Sequence, residues 1–169
     1  MNHKSSTHVT HEIIPIFIND DSRVLILGSL PSVKSREEGF YYAHPRNRFF
    51  KVLANVFKET EPLTIEDRKA FLRRHKIALY DVIYECDING SSDASIKNAR
   101  VIDIKEILES HPNIKMIGVN GSKAKQLFDK YLLNIAKQFD VKVYYLPSTS
   151  PLNTNMSTSD LVCHYQVLL

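Results

Sequence analysis

Residues 23–32 read RVLILGSLPS, and residues 40–53 read FYYAHPRNRFFKVL. Val24 to Leu27 is an unbroken apolar run of the length of a buried strand, and Gly28 ends it. Ser29, Pro31 and Ser32 then make a polar turn. The second stretch interleaves aromatic and basic residues at the head of an amphipathic helix. A strand that stops at a glycine, opens into a Ser/Pro loop and meets a basic, aromatic wall describes one side of a binding crevice.

Working outward, the same unit repeats. Strands are expected at 23–27, 77–84 (IALYDVIY), 114–120 (IKMIGVN) and 141–146 (VKVYYL), each followed by a polar loop and a helix. Helices are expected from Pro45 to about Lys58, after Thr64 with Asp67, after Asp103 with Glu106, and after Ser157 with Asp160. Ala124, Leu127, Phe128, Tyr131, Leu132 and Ile135 form the apolar stripe of a further helix behind Asn120 and Gly121. Strand, loop and helix in series predict a mostly parallel four-stranded sheet in an α/β fold, with helices on its faces. The loops at the carboxyl ends of the strands then share one face. These are GSLPSVKS, the CDINGSSDAS segment at 86–95, NGSK and LPSTSPLN.

A chain of 169 residues with 43% hydrophobic content carries one domain with a real core. That domain is expected over 23–169, with 1–22 as a lead-in whose IIPIF run at 13–17 lies against it. His3, His8 and His11 fall in the lead-in and read as a mobile tail, since no thiolate or carboxylate cluster joins them as metal ligands. No apolar run has the length of a membrane span, and the first residues lack the apolar core of a secretory signal, so an intracellular (cytoplasmic) protein is expected. Cys86 and Cys163 suggest neither a disulfide framework nor a zinc site. The net charge of +3 is small, but Lys34, Arg36, Arg46, Arg48 and Lys51 outnumber Glu37 and Glu38 around the opening stretch, which favours a polyanionic partner.

Several chemistries are disfavoured. Gly28 and Gly121 lack the spaced glycines of a dinucleotide or nucleotide phosphate loop, and no serine-hydrolase elbow is present. Lys34 has no neighbour that would make it a Schiff-base amine. What remains suits a pocket for a flipped nucleotide. Ser32, Ser35, Ser148, Thr149 and Ser150, with Lys34 and Arg46, are candidates for phosphate contact. Tyr42 offers a ring face to a base, Asn120 and His44 offer polar edges, and Gly28, Ser29 and Leu30 line the entry. Asn47 either caps the helix or holds a water. Asn153 and Asn155 suit a minor-groove wedge, and Asp81 and Asp93 organise loops or assist water.

GSLPS followed by YYAHPRNRFF, with LPSTSPLN near the C-terminus, resembles the uracil-DNA glycosylase superfamily, and within it the hypoxanthine-DNA glycosylase branch. The resemblance runs from Arg23 to the last helix. It implies a three-layer α/β/α sandwich and a monofunctional hydrolase that removes a deaminated base, hypoxanthine or uracil, from DNA in base-excision repair. No cofactor, no metal, no membrane and no obligate protein partner follow from it. Leu30 stands where mismatch-specific uracil glycosylases carry a water-positioning Asn, and the corresponding amide of the hypoxanthine branch maps onto Asn47. Tyr42 matches the aromatic that stacks on the flipped base, and Leu146 stands where the last motif usually begins with His or Asn. A non-catalytic nucleic-acid-binding module of the same fold is the rival reading; it binds duplex without creating abasic sites.

Overall fold

The computed structural model describes residues 6–89 and 93–169. In chain order the elements are β1 (Thr7–Thr10), β2 (Val24–Gly28), α1 (Val33–Glu38), α2 (Phe49–Phe57), α3 (Ile65–Arg74), β3 (Ile77–Asp81) and β4 (Ile83–Ile88). They continue with β5 (Lys97–Val101), α4 (Ile104–Ser110), β6 (Met116–Asn120), α5 (Ser122–Tyr131), α6 (Leu133–Ala136), β7 (Lys142–Leu146) and α7 (Thr158–Tyr165). The central sheet has the order β3-β2-β6-β7, and all its pairings are parallel. Every residue of β2 and β3 is buried, as expected of strands covered on both faces.

This order positions the site. The connection from β2 to β3 moves one way across the sheet, and those from β3 to β6 and from β6 to β7 move the other way. Right-handed crossovers therefore put α1–α3 on one face and α4–α6 on the other. The C-terminal α7 packs on α2 and completes the first of these layers. The reversal falls between β2 and β6, where the loops after Gly28 and Asn120 diverge and leave a crevice at the carboxyl ends.

Local chemistry explains the helix starts. Thr64, Asp103 and Ser157 each accept a hydrogen bond from the backbone three residues on, and Ser157 with Asp160 closes a full capping box. α2 is buried almost all round, through Phe49, Phe50, Val52, Leu53, Ala54 and Val56, because it packs against α7 as well as into the main core. Tyr131, assigned to the buried stripe of α5, is instead 46% exposed, since the helix ends there.

Other expectations are corrected. The apolar run 77–84 is two strands rather than one. β3 ends at Asp81, and β4 leaves the central sheet to pair antiparallel with β1 and β5 in a second, three-stranded sheet. Period-2 apolarity carries no mark of that change of partner. The charged loop after Ser32 contains a short helix, α1, closed by Gly39 at φ 74°. α2 begins at Phe49, not near Pro45. The lead-in is no mobile tail over the described residues: β1 is paired in the second sheet, Phe17 bridges to Leu79, and His11 is 3% exposed. His8 sits beside Glu85 and Asp87. His3 and the loop residues 90–92 lie outside the described residues, as does the side chain of Asp93.

Candidate active site

The carboxyl ends of β2, β3 and β6 and the loop after β7 converge on a cavity of about 990 Å³, walled on one side by the segment from Tyr41 to Asn47. A volume of this order accommodates a nucleotide. The strands supply its floor. Gly28 and Asp81 are paired in register across β2 and β3, and Asn120 lies one residue beyond the Leu27–Val119 pair. Asp81, Gly28 and Asn120 therefore stand abreast on three neighbouring strands.

Of the residues expected to form the site, Gly28, Ser29, Leu30, Ser32, Ser35, Tyr42, His44, Arg46, Asn47, Asn120, Ser148, Thr149, Ser150 and Asn153 all line this cavity. Lys34 does not; it lies along α1, with its ammonium 2.9 Å from Glu38 and 3.9 Å from Glu37. Some lining residues also do structural work. Ser32 Oγ accepts from Ser35 N–H and caps α1, and Ser35 Oγ in turn accepts from Ala43 N–H, both at 3.1 Å. These bonds hold the Tyr41–Asn47 wall against the Ser29 turn. His44 Nδ1 accepts from Arg46 N–H at 3.1 Å, leaving its Nε2 side for the cavity.

Tyr42 has a left-handed backbone, φ 53°, an uncommon state for an aromatic residue. One face of its ring is stacked on Phe49, with centroids 3.8 Å apart and planes 14° from parallel. Its hydroxyl accepts from Asn120 Nδ2 at 3.3 Å. Burial, with the negative charge of Asp81 in addition, holds that hydroxyl well above the usual phenol range, while the Asn120 bond pulls the other way. The group is thus a neutral O–H. Asn47 precedes α2, and its Oδ1 accepts from Phe49 N–H at 2.9 Å. That bond uses one acceptor lone pair and leaves a second, with the NH₂, at the cavity edge.

A family model describing the uracil DNA glycosylase superfamily matches residues 15–166. The chain belongs to this superfamily. Two curated relatives place it in the hypoxanthine-DNA glycosylase branch. The hypoxanthine DNA glycosylase of Methanosarcina acetivorans is 30% identical over 144 residues, covering 85% of this chain and 88% of the relative. That of Methanosarcina barkeri is 32% identical over 111 residues, covering 65% and 70%. The solution NMR structure of a candidate uracil DNA glycosylase from Methanosarcina acetivorans superposes with a TM-score of 0.77 at 26% identity, over 92% of this chain and 96% of that one.

In this superfamily member, several residues take places that the sequence did not indicate. Leu146 is 5% exposed and packs over Gly118, where a Cβ would come within 2.9 Å of its Cδ1; it belongs to the core rather than to the cavity. Arg48, read as part of the polar wall, is a strut. Its two terminal nitrogens donate to Met156 O at 2.8 Å and Asn153 O at 3.0 Å, and its N–H to Thr149 O at 3.1 Å. Leu152, at the rim of the cavity, is 86% exposed. An apolar residue flanked by turn formers in PLN was the available signal. Asp81, weighed only as a helper, is the cavity's buried carboxylate, and His11, whose Nε2 lies 3.1 Å from it, had no sequence signal at all.

Proposed function

We propose that this protein is a monofunctional DNA glycosylase that hydrolyses the N-glycosidic bond of a deaminated base, hypoxanthine first and uracil second, after the nucleotide rotates out of the duplex. The observation that carries the reading is that Asn47 and Tyr42, the latter backed by Phe49, line one nucleotide-sized cavity. The hydroxyls of Ser148 and Ser150 and the Arg46 guanidinium rim the same cavity, where phosphates would lie. The bond to C1′ loosens first, the sugar gains positive character and the base leaves with the bonding pair. The phosphates stabilise the cationic sugar, and the dipoles of the Ser29 turn stabilise the departing base. Asn47 holds the water that adds to C1′, and a base stacked on Tyr42 gains on the order of 1–3 kcal/mol. Leu152, large, apolar and exposed, fills the gap that the flipped nucleotide leaves.

Alkaline strand cleavage after incubation with duplexes holding hypoxanthine, uracil, xanthine or a T·G mismatch tests the reading and ranks the bases. Abasic sites should appear fastest at hypoxanthine. Asn47→Ala should slow single-turnover release by roughly 100-fold or more while duplex affinity changes little. Binding without any base release would leave the protein a non-catalytic module.

A further inference from the structure

The lead-in segment delivers a buried histidine to the back of the cavity. His11 Nε2 lies 3.1 Å from Asp81 Oδ2, with both side chains 5% exposed or less. On the other side of the ring, His11 Nδ1 donates to the carbonyl of Ile14 at 2.6 Å. A carbonyl only accepts, so Nδ1 carries a proton and Nε2 is the nitrogen that meets the carboxylate. Nε2 and Oδ2 make no well-angled hydrogen bond to any partner, so their attraction is chiefly one of charge. Tyr80, Tyr84 and Tyr41 close the cage around the imidazole at centroid distances of 4.6, 6.4 and 6.2 Å. Tyr41 spends its O–H on Pro15 O. Aromatic faces and edges, a carbonyl and a carboxylate make a setting for a cation, and Asp81 is the charged group within it.

Asp81 lines the cavity floor, and its other carboxylate oxygen lies over a neighbouring floor residue, Gly28. Asp81 Oδ1 leans over Gly28, so close that a Cβ there would lie 2.5 Å from it. Glycine is required at 28 because this oxygen occupies the space. The carboxylate is 4% exposed, Asn120 at the far side of Gly28 is 8% exposed, and both line the floor. An ionised carboxylate only accepts hydrogen bonds.

Deamination converts a ring nitrogen of the base from acceptor to donor: adenine N1 and cytosine N3 carry lone pairs, whereas hypoxanthine N1 and uracil N3 carry hydrogens. We propose that His11 and Asp81 act together as the reader of that change, with Asp81 Oδ1 accepting the lactam N–H and His11 a positioning residue that holds the carboxylate. Adenine would direct a lone pair at the same oxygen and be repelled. The proposal rests on the glycosylase reading, and it explains how one cavity serves both a purine and a pyrimidine: the feature read is the N–H they share.

The test is single-turnover release of hypoxanthine and of adenine, each placed opposite an abasic gap so that flipping costs are matched. Wild type, D81N, H11A, H11Q and the H11A/D81N double variant are compared, with thermal unfolding to confirm that each is folded. Wild type should favour hypoxanthine by at least about 1,000-fold, as a site built around one hydrogen bond does. D81N presents an amide that can turn its NH₂ to adenine, and should lower that ratio at least tenfold. H11A should lower it similarly, H11Q should restore only part of it, since its amide offers Asp81 an N–H without a charge, and the double variant should lose no more than either single one. An unchanged ratio in D81N, or additive losses in the double variant, overturns the paired role. No base release by folded wild type from any lesion duplex instead overturns the glycosylase reading, and the paired role with it.

Discussion

At the scale of single residues, position rather than type separates function from support. Asn47 spends one lone pair on the first turn of α2 and also lines the cavity, so capping leaves the other lone pair and the NH₂ unspent by that bond. Gly28 is small because Asp81 Oδ1 fills the space where a side chain would begin. Gly28→Ala should therefore depress base release at least tenfold, with a smaller loss of stability, because a Cβ displaces the carboxylate before it disturbs β2; paired kinetics and melting curves check this. His11 makes a second prediction. Burial lowers its pKa, but the Asp81 carboxylate 3.1 Å away and the Ile14 carbonyl more than offset that, leaving it above the ordinary 6.5. A pKa raised on folding contributes stability that is fully present below 6.5 and is lost as pH rises through the folded value. Urea unfolding of wild type and H11Q should differ most near pH 5.5 and converge towards pH 8.5.

At the scale of elements, the C-terminal loop 147–156 owes its shape to a residue outside it. The Arg48 fork ties the start of α2 to Asn153 and Met156, Asn153 Nδ2 donates to Ser148 O at 2.9 Å, and Tyr165 O–H donates to Pro147 O at 2.8 Å. The loop that carries Leu152 and the segment that carries Asn47 are thus fixed to one another. Arg48→Lys should not substitute, since a lysine cannot bridge two carbonyls in a planar fork; duplex excision should fall several-fold in that variant. Leu152→Ala should slow release from duplex about tenfold and leave single-stranded substrate nearly unaffected, because only a duplex has a gap to fill. Comparing the two substrates in one assay decides it. In α7, Ser157→Ala removes one half of the capping box and should cost about 1 kcal/mol.

At the scale of the whole molecule, a modest charge of +3 is useful only where it is placed. Arg46 and Lys123 stand at the cavity among hydroxyls, whereas Lys34 is spent on Glu37 and Glu38. Affinity for undamaged duplex should fall steeply with salt, and Arg46→Ala should reduce the slope of log K against log salt by about 1. Lys34→Ala should leave that slope unchanged. The sequence by itself determined the four parallel strands, the helix caps at Thr64, Asp103 and Ser157, and nearly all the cavity lining. The reason is that apolar period, capping chemistry and turn residues act over a few neighbours, and parallel crossovers must gather the loops at one end. Only the tertiary structure decided that β4 leaves the central sheet, that Leu146 turns into the core, that Arg48 is a strut and that His11 meets Asp81. Each of these depends on a partner tens of residues away, and an isolated histidine, arginine or leucine has no periodicity that could reveal which distant group it will meet.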